Sequence, residues 1–169
     1  RPSPEIEGKR LSEIAEGRGE DPAETAIDLA IEGGASCIFF AMDEENLKTF
    51  YRDPAIWVGS DGHLRTFGKG VSHPRNYGTF PRALGKYGRE QKCFSLEEGV
   101  AKMTGLPAGK FGIEGRGVLA HGNYADLALF DWDTIRDTAT FQDAHQYPVG
   151  IPHVIVNGNV AVREGRTEK

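Results

Sequence analysis

Cysteine is scarce. The chain holds two, Cys37 and Cys93. Two cannot build a disulfide framework, and these do not form the close pair of a zinc module. Both read as reduced thiols, buried or half-buried, which fits a reducing, cytoplasmic setting. Long apolar runs are also lacking. The longest clean one is Cys37–Met42, far short of the roughly 18 residues of a membrane span, so no membrane role is expected. Positive charge is in deficit, with 20 Lys+Arg against 25 Asp+Glu and a net charge of −5. A nucleic-acid binder would instead show a basic patch or stripe. His63, His73, His121, His145 and His153 form no HxH, HxxH or HExxH pattern, so no cluster has metal-ligand spacing. The phosphate-cradling GxxxxGK[ST], a dinucleotide GxGxxG and the GxSxG of serine hydrolases are absent as well. Glycine is the exception to this thrift. There are 22 in 169 residues, nearly twice the usual roughly 7%, which implies many turns and close backbone approaches.

What is present alternates helices with short apolar runs. Leu11, Ile14 and Ala15 have helical spacing over residues 9–17, ended by Gly17 and Gly19. Asp21, Pro22 and Glu24 give an N-cap, a first helical residue and a capping box. The helix they open would present Ala23, Ala26, Ile27, Ala30 and Ile31 on one face, and Gly33 and Gly34 would stop it. Residues 36–41 are continuously apolar, as in a strand buried on both faces. Asp43 caps a short helix with Leu47, Phe50 and Tyr51, ended before Pro54. Ala55–Gly59 reads as a second buried strand, and residues 60–77 as a long polar loop. Helices are expected over about 79–91 and from Ser95, where Ser95 and Glu98 form a capping box and Gly105 and Pro107 close the element. This is the grammar of an α/β fold with a parallel sheet. It changes near 110–117. Ala125–Phe130 is a strand, and Val154–Asn157 and Asn159–Val162 flank the hairpin signal Asn157-Gly158. The expected division is 1–112 and 113–169.

The candidate chemistry lies where the second apolar strand ends. In Val58-Gly59-Ser60-Asp61-Gly62 an acidic residue closes the strand and opens the polar loop. In an α/β barrel that end of a strand faces the active site. On local context alone, Asp61 equally suits a turn or a cap. His73-Pro74-Arg75-Asn76-Tyr77-Gly78 follows. Arg75 needs a carboxylate or phosphate before its guanidinium fork has a function. Taken bare, the His is a loop residue and the Arg a solvated one.

These same stretches carry a resemblance. Gly59–Gly62, the loop and helix His73–Gly85, Ser95–Gly112 with Met103-Thr104-Gly105-Leu106-Pro107-Ala108, and then Gly117–Asp131 and His145–Gly165 resemble, in order, the C-terminal third of the D-aminoacylases. These are the N-acyl-D-amino-acid deacylases of the amidohydrolase superfamily. His121 departs from the pattern, standing where relatives often carry Pro. The resemblance implies the C-terminal portion of a (β/α)8 barrel followed by strands of a small composite β-domain. It implies zinc-dependent hydrolysis of the acyl amide of an N-acyl-D-amino acid, a small-molecule substrate. It assigns Asp61 as the catalytic acid/base, Arg75 as the clamp on the substrate carboxylate, and Ser60 with Gly62 as the shapers of the turn. His73 and Tyr77 are candidates for the pocket wall, with loop packing as the bland alternative. No metal ligand is expected in this chain beyond Asp61. A whole barrel takes about 250 residues, so the chain is expected to be a C-terminal piece of a longer enzyme, inactive alone. Two other readings compete: a sister amidohydrolase acting on cyclic amides, like hydantoinase or dihydroorotase, and a non-catalytic α/β binding domain. The His-Pro-Arg stretch counts against the first. Upstream metal ligands would count against the second.

Overall fold

The computed structural model describes residues 4–34 and 36–168. They fall into two compact units. One takes in the chain up to Ala41 together with Gly68–Val71, and the other takes in Met42–Phe67 and the chain from Ser72 onward.

In the first unit, α1 (Leu11–Arg18) and α2 (Pro22–Ile31) lie against each other. Gly19 ends α1 in the left-handed conformation at φ 69°, and the Glu20 amide closes on Ala15 O at 3.0 Å, which satisfies an orphan carbonyl. Asp21 caps α2 by accepting from the Ala23 amide at 2.8 Å. Arg18 and Glu32 pair through two parallel bonds of 3.0 Å each. The side chain of α2 that is buried is Thr25, which donates to Glu20 at 3.0 Å. Ile27 and Ile31, expected on the packed face, are exposed.

Two expected strands are not strands among the described residues. Over 36–41 the chain forms no ladder, and Phe39, Phe40 and Cys37 are exposed. The half-buried state expected for Cys37 is therefore corrected, whereas Cys93 is buried as expected. Residues 55–59 likewise form no ladder, although the Val58 amide reaches Lys102 O at 3.2 Å. A strand must exchange backbone hydrogen bonds with at least one neighbouring strand. An apolar run supplies the side chains for such a position but not the neighbours.

The second unit has its own core. It contains α3 (Glu44–Arg52), α4 (Arg75–Arg82), α5 (Leu96–Met103) and α6 (Gly105–Phe111). Asp43 caps α3 on the Asn46 amide at 2.9 Å. Ser95 and Glu98 exchange the two bonds of the expected capping box, 3.2 and 2.7 Å. Helix α5 stops at Met103, and Gly105 opens α6 rather than closing α5. The α4 helix starts at Arg75, four residues before the expected 79, and carries Pro81 within it. Proline removes a donor from the helix. The turns that follow, Ala83–Glu90, are widened into a π-helix, with the Gln91 amide on Lys86 O at 2.9 Å.

Ala83, Leu84, Tyr87, Cys93, Phe94 and Ile135 form the buried cluster. Tyr51 stacks on Tyr87 at 4.5 Å between ring centres, and burial pushes its hydroxyl up to about 12. Gly88 allows the fit, since a Cβ there would meet Phe94 at 2.8 Å and Trp132 at 3.1 Å. Arg89 crosses the same seam, donating to Trp132 O at 2.6 Å and Ile135 O at 2.9 Å. Beyond it, β1 (Leu127–Leu129), β2 (His153–Val156), β3 (Asn159–Arg163) and β4 (Arg166–Thr167) form an antiparallel sheet in that order. Asn157 and Gly158 turn the β2–β3 hairpin with φ of 50° and 78°, both positive as its two-residue loop requires. No helix among the described residues is long and apolar enough to cross a membrane.

Candidate active site

From Val58 to Gly62 the chain is irregular and is closed locally by one side-chain bond. Ser60 Oγ accepts from the Gly62 amide at 3.1 Å, and Asp61 sits in the left-handed region at φ 47°. Asp is among the non-glycine residues that tolerate this region best. A Cβ on Gly62 would lie 3.2 Å from Asn76 Oδ1 and 3.3 Å from Ser60 Oγ, so the absence of a side chain lets the turn approach α4 closely. The Asp61 carboxylate is 81% exposed.

Arg75 stands in the first turn of α4. Its Nη2 lies 3.0 Å from Asp61 Oδ2. Two residues 14 positions apart, singled out for separate roles, thus meet as an ion pair. Arg75 Nε is buried and has no hydrogen-bond partner among the described residues. His73 supports this arrangement from below. Its Nδ1 accepts from the Arg75 amide at 3.0 Å, which places the proton of the neutral ring on Nε2. Partial burial and the Arg75 cation lower the His73 pKa from its usual value, against a smaller opposing pull from Asp61. The His73 ring stands edge-on to Phe141 at 5.2 Å.

Tyr77 follows Arg75 by two residues, about 200° around the helix, so the two side chains leave α4 on opposite sides. The Tyr77 hydroxyl lies 2.8 Å from His145 Nδ1. The site therefore brings Ser60, Asp61, His73 and Arg75 together, whereas Tyr77 turns to the other flank.

Two contributors escaped the sequence reading. Asn76 Oδ1 accepts from the His63 amide at 2.9 Å, and its Nδ2 donates to Ser72 Oγ at 2.7 Å. Asn76 thereby staples the Asp61 turn to α4. It lies inside the stretch already singled out, but an Asn beside an Arg has no signature of its own. His145 comes from 68 residues beyond Tyr77, and no local spacing could pair them.

The residues present do not suffice to hold the zinc that the resemblance implies. No group of three or more His, Cys, Asp or Glu side chains that could hold a metal ion exists among the described residues, and a catalytic zinc needs three protein ligands or more.

Comparison with known proteins gives a consistent answer. A profile of the amidohydrolase family matches residues 7–162. The D-aminoacylase of Alcaligenes xylosoxydans xylosoxydans is 42% identical over 160 residues, covering 94% of this chain and 31% of that protein. The crystal structure of N-acyl-D-glutamate deacylase from Bordetella bronchiseptica, complexed with zinc and a phosphonate mimic of the tetrahedral intermediate, superposes with a TM-score of 0.86 at 41% identity. It covers 99% of this chain and 35% of that one. A crystal structure of D-aminoacylase gives a TM-score of 0.88 at 40% identity, over 98% of this chain and 34% of that one. The chain spans about a third of the length of these relatives, and it matches the C-terminal part of the D-aminoacylase fold. On this match over nearly its whole length, the chain belongs to the amidohydrolase family.

Proposed function

We propose that the chain is part of a hydrolase that cleaves the acyl amide of N-acyl-D-amino acids. The observation that carries this reading is the meeting of Asp61 and Arg75 at 3.0 Å, at the end of an extended segment and the start of a helix. The reaction needs a group that takes a proton from the attacking water and returns one to the departing amine. A carboxylate at the mouth of the site does both, and Asp61 is that carboxylate.

The substrate also carries a free α-carboxylate. Arg75 binds it through a planar fork with two parallel charge-assisted bonds. Its pair with Asp61 is solvent-screened on the carboxylate side, and such exposed pairs contribute little to stability. An incoming carboxylate can therefore share or replace Asp61 on the guanidinium at small cost. Ser60 fixes the turn that presents Asp61, His73 borders the mouth and holds the Arg75 backbone, and Tyr77 supports α4 from the far side. Zinc belongs to the complete enzyme, with its ligands outside this chain apart from Asp61. The division of labour follows the chain: residues 1–112 belong to the barrel and 113–169 to the small β-domain. The D preference rests on the names of the relatives, a D-aminoacylase and two deacylases of N-acyl-D-glutamate and N-acyl-D-aspartate.

The test uses the complete natural polypeptide with N-acetyl-D- and N-acetyl-L-amino acids. Hydrolysis confined to the D series supports the reading. Asp61→Asn keeps the shape but cannot take the proton, and kcat should fall by roughly 10²–10⁴-fold with the melting curve unchanged. An Asn variant with wild-type kcat would return Asp61 to the role of a turn residue.

A further inference from the structure

Three separate stretches meet at one point on the other flank of α4. The Tyr77 hydroxyl on α4 lies 2.8 Å from His145 Nδ1 in the loop that precedes β2. Phe67, from the loop that follows Asp61, reaches the same place. It stacks on Tyr147 with ring centres 4.8 Å apart and planes 15° apart. It stands edge-on to Tyr77 at 6.0 Å and to His145 at 5.7 Å. Edge-to-face and offset contacts of this kind are favourable aromatic geometries.

The consequence concerns Asp61. A non-glycine residue in the left-handed region persists when its surroundings over-determine it. Asp61 is exposed and left-handed, and it is held locally by the Gly62–Ser60 bond and by its own ion pair with Arg75. The remaining restraint comes from further along the loop. His63 is tied to Asn76, and Phe67 is tied to the ring cluster. The loop is thus fastened at two points to the helix that carries Arg75. Two of the rings that Phe67 meets edge-on, Tyr77 and His145, are themselves joined by the hydroxyl–imidazole bond.

We infer that His145 is a positioning residue: through Tyr77 and Phe67 it fixes the loop bearing Asp61 over the helix bearing Arg75. This deepens the functional reading above and rests on it for its kinetic consequence. A small misplacement of a reacting group can cost about 10²-fold in rate, so loosening one of two fastenings should be visible in turnover.

The experiment compares Tyr77→Phe, His145→Ala, the double variant and His145→Asn in the complete natural polypeptide. Steady-state kinetics on an N-acetyl-D-amino acid are read together with amide exchange over residues 60–67. Each single variant should lower kcat by roughly 3- to 10-fold, the weight of one hydrogen bond, with KM within about twofold. Because both remove the Tyr77–His145 bond, the two losses should not multiply in the double variant. His145→Asn places an amide acceptor near the former Nδ1 and should restore kcat to within about twofold. Amides of the loop should exchange faster in Tyr77→Phe and His145→Ala. Unchanged kcat in both singles, losses that multiply in the double variant, or a rise in KM alone would overturn the inference, the last by making the cluster a substrate wall. If the complete protein cleaves no N-acyl-D-amino acid, the functional reading fails by itself. Loop exchange then decides the anchoring: faster exchange supports it and unchanged exchange overturns it.

Discussion

Tyr87 and Ile135 are 1% exposed, whereas Phe39 is 83% exposed. Both regions are written in apolar residues, but they find their partners differently. The seam between α4 with its widened turns and residues 130–137 closes on itself. Leu84, Tyr87, Phe94 and Ile135 fill it, Gly88 admits the aromatic rings, and Arg89 and the Arg82–Asp137 pair at 3.0 Å tie its rim. The 36–42 segment has as strong an apolar run, yet Phe39, Phe40 and Met42 all face solvent. Apolar side chains set how much an element gains by burial, but only a second surface lets it collect that gain. The candidate site joins the two kinds of region. Arg75 stands on the helix that closes its own packing, and Asp61 ends a segment, 55–59, that lacks a ladder among the described residues.

The contrast can be broken by mutation. Tyr87→Ala should destabilise the second unit by about 3–5 kcal/mol, the usual loss for a large buried aromatic ring, read as a drop in the denaturant midpoint of the chain. Phe39→Ala should change that midpoint by no more than about 0.5 kcal/mol, as for other exposed positions. Equal losses at the two positions would mean that the 36–42 run is packed in solution. Amide exchange sharpens the same division, with slow exchange expected over 83–93 and fast exchange over 36–42.

A smaller effect concerns His73. Its folded-state pKa is lowered, chiefly by burial and then by Arg75. The unfolded chain therefore binds a proton more readily than the folded one, and stability must rise with pH through that window. The contribution is fully present above the ordinary histidine value near 6.5 and is lost as pH falls from there toward the lowered one. His73→Asn keeps an acceptor for the Arg75 amide without a titrating ring. Its denaturant midpoint should fall less than that of the wild type between about pH 7 and pH 5. The same slope in both proteins would show that His73 does not carry the dependence.

How much was legible follows the same line. Several signals that act within a few residues act where they stand in the sequence, namely the caps Asp21, Asp43 and Ser95 with Glu98 and the Asn157-Gly158 turn, whereas Glu24 completes no capping box and α1 runs through Gly17. The start of α4 was placed four residues late because His73 supplies the bond to the Arg75 amide, a task usually given to Ser, Thr, Asp or Asn. The strands at 36–41 and 55–59 were over-read, since a ladder depends on residues far away in the chain. In the site, local context leaves Asp61 a turn residue and Arg75 a solvated one; only the resemblance singles them out, and the structure adds that they meet as an ion pair. Asn76 and His145 were not legible, because their partners His63 and Tyr77 are chosen by the folded backbone and not by spacing.

The central claim separates two roles, recognition by Arg75 and proton transfer by Asp61. The most direct test measures kcat/KM for N-acetyl-D-amino acids and for their α-amides in the complete enzyme, comparing wild type with Arg75→Lys and Arg75→Ala. Lysine keeps the charge but loses the fork. Without the fork the acid substrates should lose kcat/KM, mainly through KM. The α-amides carry no charge for the fork to hold and should be affected far less. Equal losses on acid and amide forms, or no loss on either, would contradict the assignment of Arg75 to the substrate carboxylate.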